Sequence, residues 1–386
     1  MQEKITFPKE FLWGTATSSY QIEGGIDNSD WSVDFPAGKA SDHYNKYRED
    51  IELMEKIGQN AYRFSLEWSR IEPREGEFDL KEIAYYRDIL QLLKSKNIKA
   101  MVTLHHFTVP LWFSKKGGWS ESKNVVYFVR FAQAMIKEYR ELIDFWITIN
   151  EPMIYSSKGF LSGNWPPKKK NIFTFRRVTQ NQIRAHKKIF SLFHKTDPNV
   201  KVGIANNNCS FEPNNKKSFL DRFSVFLAES INNEYFLNKI DKHLDFIGLN
   251  YYFHRKIKFP FRDISEEGPV SDLGWKIYPK GIYDVLLELG EYGLPIYITE
   301  NGLADKSDEL RKDFIKDHLV WTHQAIEEGV DVRGYFHWSL MDNFEWDKGI
   351  EPRFGLVEID YKTLERKIRP SADYYSEICK TNKILK

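Results

Sequence analysis

Cysteine is nearly absent: Cys209 and Cys379 are the only two in 386 residues, far apart and outside any CxxC or zinc-ligand spacing. That argues against a disulfide framework or a structural metal site, and reduced thiols fit a cytoplasmic protein. An excess of charge of one sign is missing too, with 56 basic residues against 55 acidic and a net charge of +1. Such a balance gives no reason to expect nucleic acid or an anionic membrane as the main partner. The basic run Lys168-Lys169-Lys170 reads as a solvated loop face. No apolar stretch approaches the length of a membrane span, and the opening Met1-Gln2-Glu3-Lys4-Ile5 lacks the apolar core of a leader. Nor does any low-complexity linker divide the chain, so residues 1–386 are expected to form one catalytic domain.

Aromatic residues are abundant instead, with 28 Phe, 20 Tyr and 11 Trp. Part of that load belongs to a core, and the Trp and Tyr surplus also suits sugars, whose C–H faces stack on rings while their hydroxyls bond to polar edges. Short apolar strands are read at residues 11–18, 61–68, 99–106, 144–151, 201–208, 246–252, 295–300 and 332–339. Helical periodicity lies between them, near residues 42–57, 81–95, 125–142, 175–194, 278–292, 312–328 and 371–382. In the first of these, Tyr44, Tyr47, Ile51, Met54 and Ile57 recur at spacings of three and four. Eight strands in alternation with helices suit an α/β fold of the (β/α)8 TIM-barrel type better than a doubly wound sheet. The sixth unit is the least regular, with a mixed loop from Tyr252 through Pro269 and Gly274. Long loops of that kind shape substrate pockets.

The strand ends collect polar and aromatic residues: Gln21, Arg63, His105, His106, Asn150, Glu151, Asn207, Asn250, Tyr252, Glu300, Trp338 and Glu345. Each alone has a bland explanation in packing or turn chemistry. Their recurrence at the same end of successive strands does not. Two strands in particular, Phe145-Trp146-Ile147-Thr148-Ile149-Asn150-Glu151-Pro152 and Pro295-Ile296-Tyr297-Ile298-Thr299-Glu300-Asn301-Gly302, run apolar and stop at a glutamate. In an α/β barrel, catalytic side chains emerge at the C-terminal strand ends. Two carboxylates facing each other there are what glycosidic hydrolysis needs, one as proton donor and the other as nucleophile or base.

Those two stretches resemble the paired signatures of the family 1 retaining β-glycosidases. The resemblance extends to Phe11-Leu12-Trp13-Gly14-Thr15-Ala16-Thr17-Ser18-Ser19-Tyr20-Gln21-Ile22-Glu23-Gly24, to Tyr62-Arg63-Phe64-Ser65 and Leu104-His105-His106-Phe107, and to Trp338-Ser339-Leu340-Met341-Asp342-Asn343-Phe344-Glu345-Trp346 with Arg353-Phe354-Gly355-Leu356. It implies that Glu151 is the general acid/base and Glu300 the nucleophile. Asn150 is implied to bond the sugar 2-hydroxyl, with Gln21, His106, Trp338, Glu345, Trp346 and Phe354 completing the substrate-binding set. Arg63, Asn250 and Tyr252 match residues that orient the nucleophile. Neither a metal nor an organic cofactor is implied, and the expected partner is a small glycoside or oligosaccharide.

Members that act on 6-phosphorylated sugars carry a small hydroxylated residue at the position of Glu345. A carboxylate there repels phosphate, so the resemblance favours an exo-acting β-glucosidase on unphosphorylated β-glucosides or β-galactosides, with β-fucosides as a further substrate. The alternatives are a 6-phospho-β-glycosidase, an endo-acting barrel hydrolase and a non-catalytic carbohydrate-binding barrel. The chain is short for the family, and Thr108 stands where an acidic residue is frequent. These departures are expected to alter loops on the leaving-group side and to leave the carboxylate pair alone.

Overall fold

A computed structural model of the chain describes residues 4–264 and 268–385. Met1–Glu3, on which the leader reading began, and residues 265–267 of the mixed loop lie outside the described residues.

Eight parallel strands close into a barrel: β1 (Leu12–Ala16), β2 (Ala61–Ser65), β3 (Lys99–His105), β4 (Phe145–Asn150), β5 (Val202–Pro213), β6 (Phe246–Lys258), β7 (Ile296–Asn301) and β8 (Val332–Trp338). Each pairs with its sequence neighbours, and β8 pairs with β1 through Gly334↔Leu12 to Trp338↔Ala16, so the barrel leaves no open edge. Helices α1 (His43–Ile57), α2 (Leu80–Ser95), α3 (Val125–Tyr139), α4 (Ile172–Thr196), α5 (Phe219–Glu229), α6 (Lys280–Gly290), α7 (Arg311–Glu327) and α8 (Pro370–Thr381) lie between and after the strands. No helix among the described residues is long and apolar enough to cross a membrane.

Alternation along the strands divides the core in two. Leu12, Ala61, Met101, Ile147, Ala205, Phe246, Tyr297 and Phe336 pack inside the barrel, while Tyr62, Phe64, Trp146 and Ile298 join the larger core under the helices. The inward row of β2 therefore places Arg63 in the barrel's centre, fully buried.

The eight strands expected from sequence are all present, but two are longer than read. β5 and β6 stay paired past Asn208 and Tyr252, from Cys209↔Phe253 to Pro213↔Ile257. The start of the irregular sixth unit is thus a ladder rising above the barrel mouth, not loop. Helix α5, followed by one wider turn (Ser230–Glu234) and a short helix (Tyr235–Ile240), was not anticipated.

Candidate active site

Both glutamates sit where a strand breaks its alternation. On β4, Ile147 faces inward, Thr148 turns out to bond His186 of α4 at 2.7 Å, and Ile149 stays in the outer core. The register against β5 slips between Ile147 and Asn150, and the slip returns Asn150 to the interior. Glu151 follows with φ 44, a left-handed backbone that turns the chain into the next helix. On β7 the slip lies opposite Leu249 and Asn250. It aims two successive side chains inward, since the Thr299 hydroxyl donates to Asn250 Oδ1 at 2.7 Å and Glu300 meets Arg63. Gly248 makes room for this: a Cβ there would lie 2.8 Å from the Thr299 side chain.

Arg63 and Asn250 tie the two carboxylates together. Arg63 donates from Nη1 to Glu300 Oε1 at 2.6 Å and from Nη2 to Asn150 Oδ1 at 2.6 Å. The Tyr252 hydroxyl donates to the other oxygen of Glu300 at 2.8 Å. Asn250 donates from Nδ2 to Glu151 Oε1 at 2.8 Å, and Asn207 donates to the same oxygen at 3.0 Å. So Glu300 holds a buried ion pair, while Glu151 is bonded only by neutral amides.

The electrostatics follow. Burial and the nearby Glu300 charge push Glu151 up to about 7, against the opposing bonds from Asn250 and Asn207. Burial also raises Glu300, but the Arg63 guanidinium and the Tyr252 hydroxyl pull against it. Of the two, Glu300 is the better placed to stay ionised. Tyr252 is held well above its ordinary value by burial and the Glu300 charge, so it remains a donor.

A second group closes one side of the pocket. Gln21, just beyond β1, donates to Asn343 Oδ1 at 2.9 Å, to the Phe344 carbonyl at 3.0 Å and to Glu345 Oε2 at 3.2 Å. The segment carrying Glu345 is held from below by Asp342, which accepts from Arg369 at 2.8 and 3.0 Å, from Arg353 at 3.3 Å and from the Gly355 amide at 3.0 Å. Burial and the charge of Glu300 push Glu345 up to about 8, although it keeps part of its surface open to the pocket. The His106 ring lies nearly parallel to Trp338 and Trp346, with 5.9 Å between centroids in each case. Burial first, then Arg63, holds His106 well below the usual imidazole range. Its Nε2 meets Asn150 at 3.2 Å, while Nδ1 is buried with no partner.

Glu151, Glu300, His106, Asn150, Tyr252, Trp338, Glu345, Trp346 and Phe354 all line one pocket of about 1310 Å³. Gln21, Arg63 and Asn250 stand behind it, bonded to its walls. His105 does not join them; it faces the helices and accepts from Trp119 at 3.3 Å. Among the described residues no group of three or more His, Cys, Asp or Glu is disposed to hold a metal ion. Sequence reasoning gave no role to Asn207, Thr299, Asp342 or Trp275. The Trp275 ring sits 5.8 Å from Tyr252 and 6.1 Å from Phe354 on the pocket wall, in the loop expected to shape the pocket, although the residue itself was not singled out. Thr108 lies buried in the loop that follows β3, its hydroxyl donating to Glu67 at 3.0 Å.

The model of glycosyl hydrolase family 1 matches residues 3–242 and 237–384. The chain is 35% identical to beta-glucosidase A of Thermotoga maritima, over 97% of this chain and 98% of that one. That alignment runs to 437 positions, so the relative carries insertions that this 386-residue chain lacks. The structure superposes on the beta-glycosidase from Pyrococcus horikoshii with a TM-score of 0.94 at 40% identity, covering 100% of this chain and 97% of that one. It also superposes on the Thermotoga maritima beta-glucosidase in complex with glucoimidazole, with a TM-score of 0.94 at 34% identity, covering 98% and 99%.

Proposed function

The chain belongs to glycosyl hydrolase family 1, and from that premise we propose that it is a retaining exo-β-glycosidase releasing terminal, unphosphorylated glucose or galactose, with β-fucosides also accepted. The observation that carries this reading is the unequal treatment of two buried glutamates joined through Asn250. Glu300 is held by a cation, and Glu151 is pushed up to about 7.

In the first step a Glu300 oxygen attacks the anomeric carbon, and the bond to the leaving oxygen breaks as Glu151 gives that oxygen its proton. In the second, the Glu151 carboxylate takes a proton from water. The water oxygen bonds to the anomeric carbon, and Glu300 leaves as carboxylate. Two inversions give net retention. Arg63 holds Glu300 and Asn150 in fixed relation, so the attacking oxygen and the sugar 2-hydroxyl are positioned by one side chain. The unpartnered Nδ1 of His106 is a ready hydrogen-bond site for a sugar hydroxyl. Glu345 meets the far side of the sugar, where the 4- and 6-hydroxyls bond its carboxyl group, and Gln21 holds Glu345 in place from behind. The wall formed by Gln21, Glu345 and Trp346 favours a single terminal sugar over a polymer, and Glu345 suits a phosphate poorly in either form: protonated it supplies no cation, and once ionised it repels the dianion.

A panel of p-nitrophenyl β-glucoside, β-galactoside, β-fucoside, β-mannoside and 6-phospho-β-glucoside tests this, with Glu300→Ala as control. Turnover of the first three, lost in the variant and rescued by azide with inverted product, is expected. Preference for the phosphorylated sugar would overturn the reading of Glu345. Silence across the panel from folded protein would overturn the whole proposal.

A further inference from the structure

Sixteen large apolar side chains stand exposed among the described residues, and eleven of them fall in three segments, 158–177, 211–231 and 255–270. All six exposed phenylalanines are there: Phe173, Phe219, Phe223, Phe226, Phe259 and Phe261. Phe173 and Phe219 are 73% and 70% exposed, more than a ring resting on its own fold. Scattered apolar residues need no explanation, but a concentration like this does. On α5 the positions 219, 223 and 226 follow helical spacing, and the rings of Phe219 and Phe223 stack at 6.3 Å. The helix thus turns an apolar stripe outward.

The second and third segments form one surface. The Phe259 amide donates to Asp221 Oδ1 at 3.1 Å, and the Asn214 amide to the Ile257 carbonyl at 2.8 Å. The first segment faces them across the pocket entrance, where Ile172 and Arg176 line the same opening as Ile231, Arg255 and Val270.

Charge is concentrated with the rings. The three segments hold thirteen Lys and Arg against six Asp and Glu, in a chain whose net charge is +1. Lys170, Arg176, Arg177, Lys216, Lys217, Arg222, Lys258 and Arg262 are exposed and enter no ion pair among the described residues. The four acids among the described residues do little to offset them. Asp221 is buried against backbone amides, Asp263 stands 3.8 Å from Arg255, Glu212 accepts from Tyr278, and Glu229 closes the far end of α5. Glu266 and Glu267 lie outside the described residues.

We propose that this face docks on an anionic lipid surface, with the pocket entrance turned toward the bilayer. Exposed Phe and Leu interleaved with Lys and Arg are the chemistry of interfacial binding: the rings enter the headgroup boundary and the cations meet lipid phosphates. A second copy of this chain is the poorer occupant. A twofold interface would press this basic face, with Lys216, Lys217, Arg222 and Arg262, against a second copy of itself, a like-charge contact that an anionic surface replaces with attraction. Resting on the glycosidase reading, the placement names a substrate class. Glycosides with a lipid aglycone, held in the bilayer by their tails, would present the sugar directly to the pocket.

Sedimentation with phosphatidylcholine vesicles, with and without a quarter of phosphatidylglycerol, tests the docking. Binding is expected to the anionic vesicles only and to weaken as salt rises. Lys216→Glu/Lys217→Glu/Arg222→Glu should weaken binding by more than roughly fivefold per residue changed, and Phe219→Ser/Phe226→Ser by at least about tenfold. Turnover of a soluble aryl β-glucoside by both variants should match the parent and certify their fold. The proposal is overturned if the parent ignores anionic vesicles at low salt, or if the charge-reversed variant binds them equally. It is also overturned if light scattering finds a dimer that Phe219→Ser/Phe226→Ser dissociates while vesicles are ignored. Vesicle binding without glycoside turnover would uphold the docking and remove the activity assignment.

Discussion

Removing the Asn207 amide should move the pH profile toward alkali. Asn207 and Asn250 both donate to Oε1 of Glu151, at 3.0 and 2.8 Å, and favour its ionised form. A hydrogen bond to a charged group contributes about 1.5–3 kcal/mol. Asn207 is partly open to the pocket, where water replaces some of what is lost. A net loss of about 1.4 kcal/mol corresponds to one unit of pKa. In Asn207→Ala the carboxylate is the destabilised form, so Glu151 should rise from about 7 toward 8. The acid must be protonated in the free enzyme, so the basic limb of kcat/KM moves up with it. The assay is kcat/KM against pH for an alkyl β-glucoside, whose poor leaving group needs the proton. An Asn207→Asp variant adds a negative charge and should move the limb further the same way. A limb that stays fixed in both variants, or shifts toward acid, would refute the assignment of that limb to Glu151.

Three further outcomes can be checked. Glu345, pushed up to about 8 in the fold, keeps a proton that an ordinary glutamate releases near 4.5. Wild-type stability should therefore decline from about pH 5 to 8 relative to Glu345→Gln, by on the order of 2 kcal/mol after allowing for partial exposure; parallel melting curves would contradict this. Arg63→Lys removes the fork that holds Glu300 and Asn150 together, and kcat should fall on the order of a hundredfold or more with a smaller change in KM. Near-normal kcat would show that Arg63 is only packing. Asp342→Ala strands Arg353 and Arg369, and should cost about 3–5 kcal/mol in denaturant unfolding while raising KM through the loosened Glu345 segment.

How much of this was legible in the chain depends on whether the signal was local. The barrel could be read because strands buried on both faces are continuous apolar runs. The two glutamates could be read because each run ends on one. The slips in β4 and β7 could not, since a register shift depends on the neighbouring strand. Nor could the work of Asn207, whose partner Glu151 lies on another strand. Helix α5 was missed for a different reason. Periodicity assumes that apolar positions face the core, and Phe219, Phe223 and Phe226 face water. The balanced total charge averages a basic mouth with an acidic remainder, so a local concentration of charge does not show in it. Lys168 does pair with Asp34 at 2.8 Å, but Lys170 and its neighbours at the start of α4 do not.

On the mechanism proposed above, the same few atoms serve both halves of the reaction. Before the first step, Glu151 is raised by burial and by the charge on Glu300, and it carries the proton that the leaving group needs. Once Glu300 is esterified to the sugar that charge is gone, while the Asn250 and Asn207 amides still point at Glu151. The acidic form loses one of its two supports and the carboxylate keeps both of its donors, so the pKa falls and the group becomes a base for water. Arg63 would give up its anion at the same moment but keep Asn150 at 2.6 Å, so that the residue proposed to bond the 2-hydroxyl stays oriented through the second step. No side chain has to move for the acid to become the base; the charge consumed in forming the intermediate resets it.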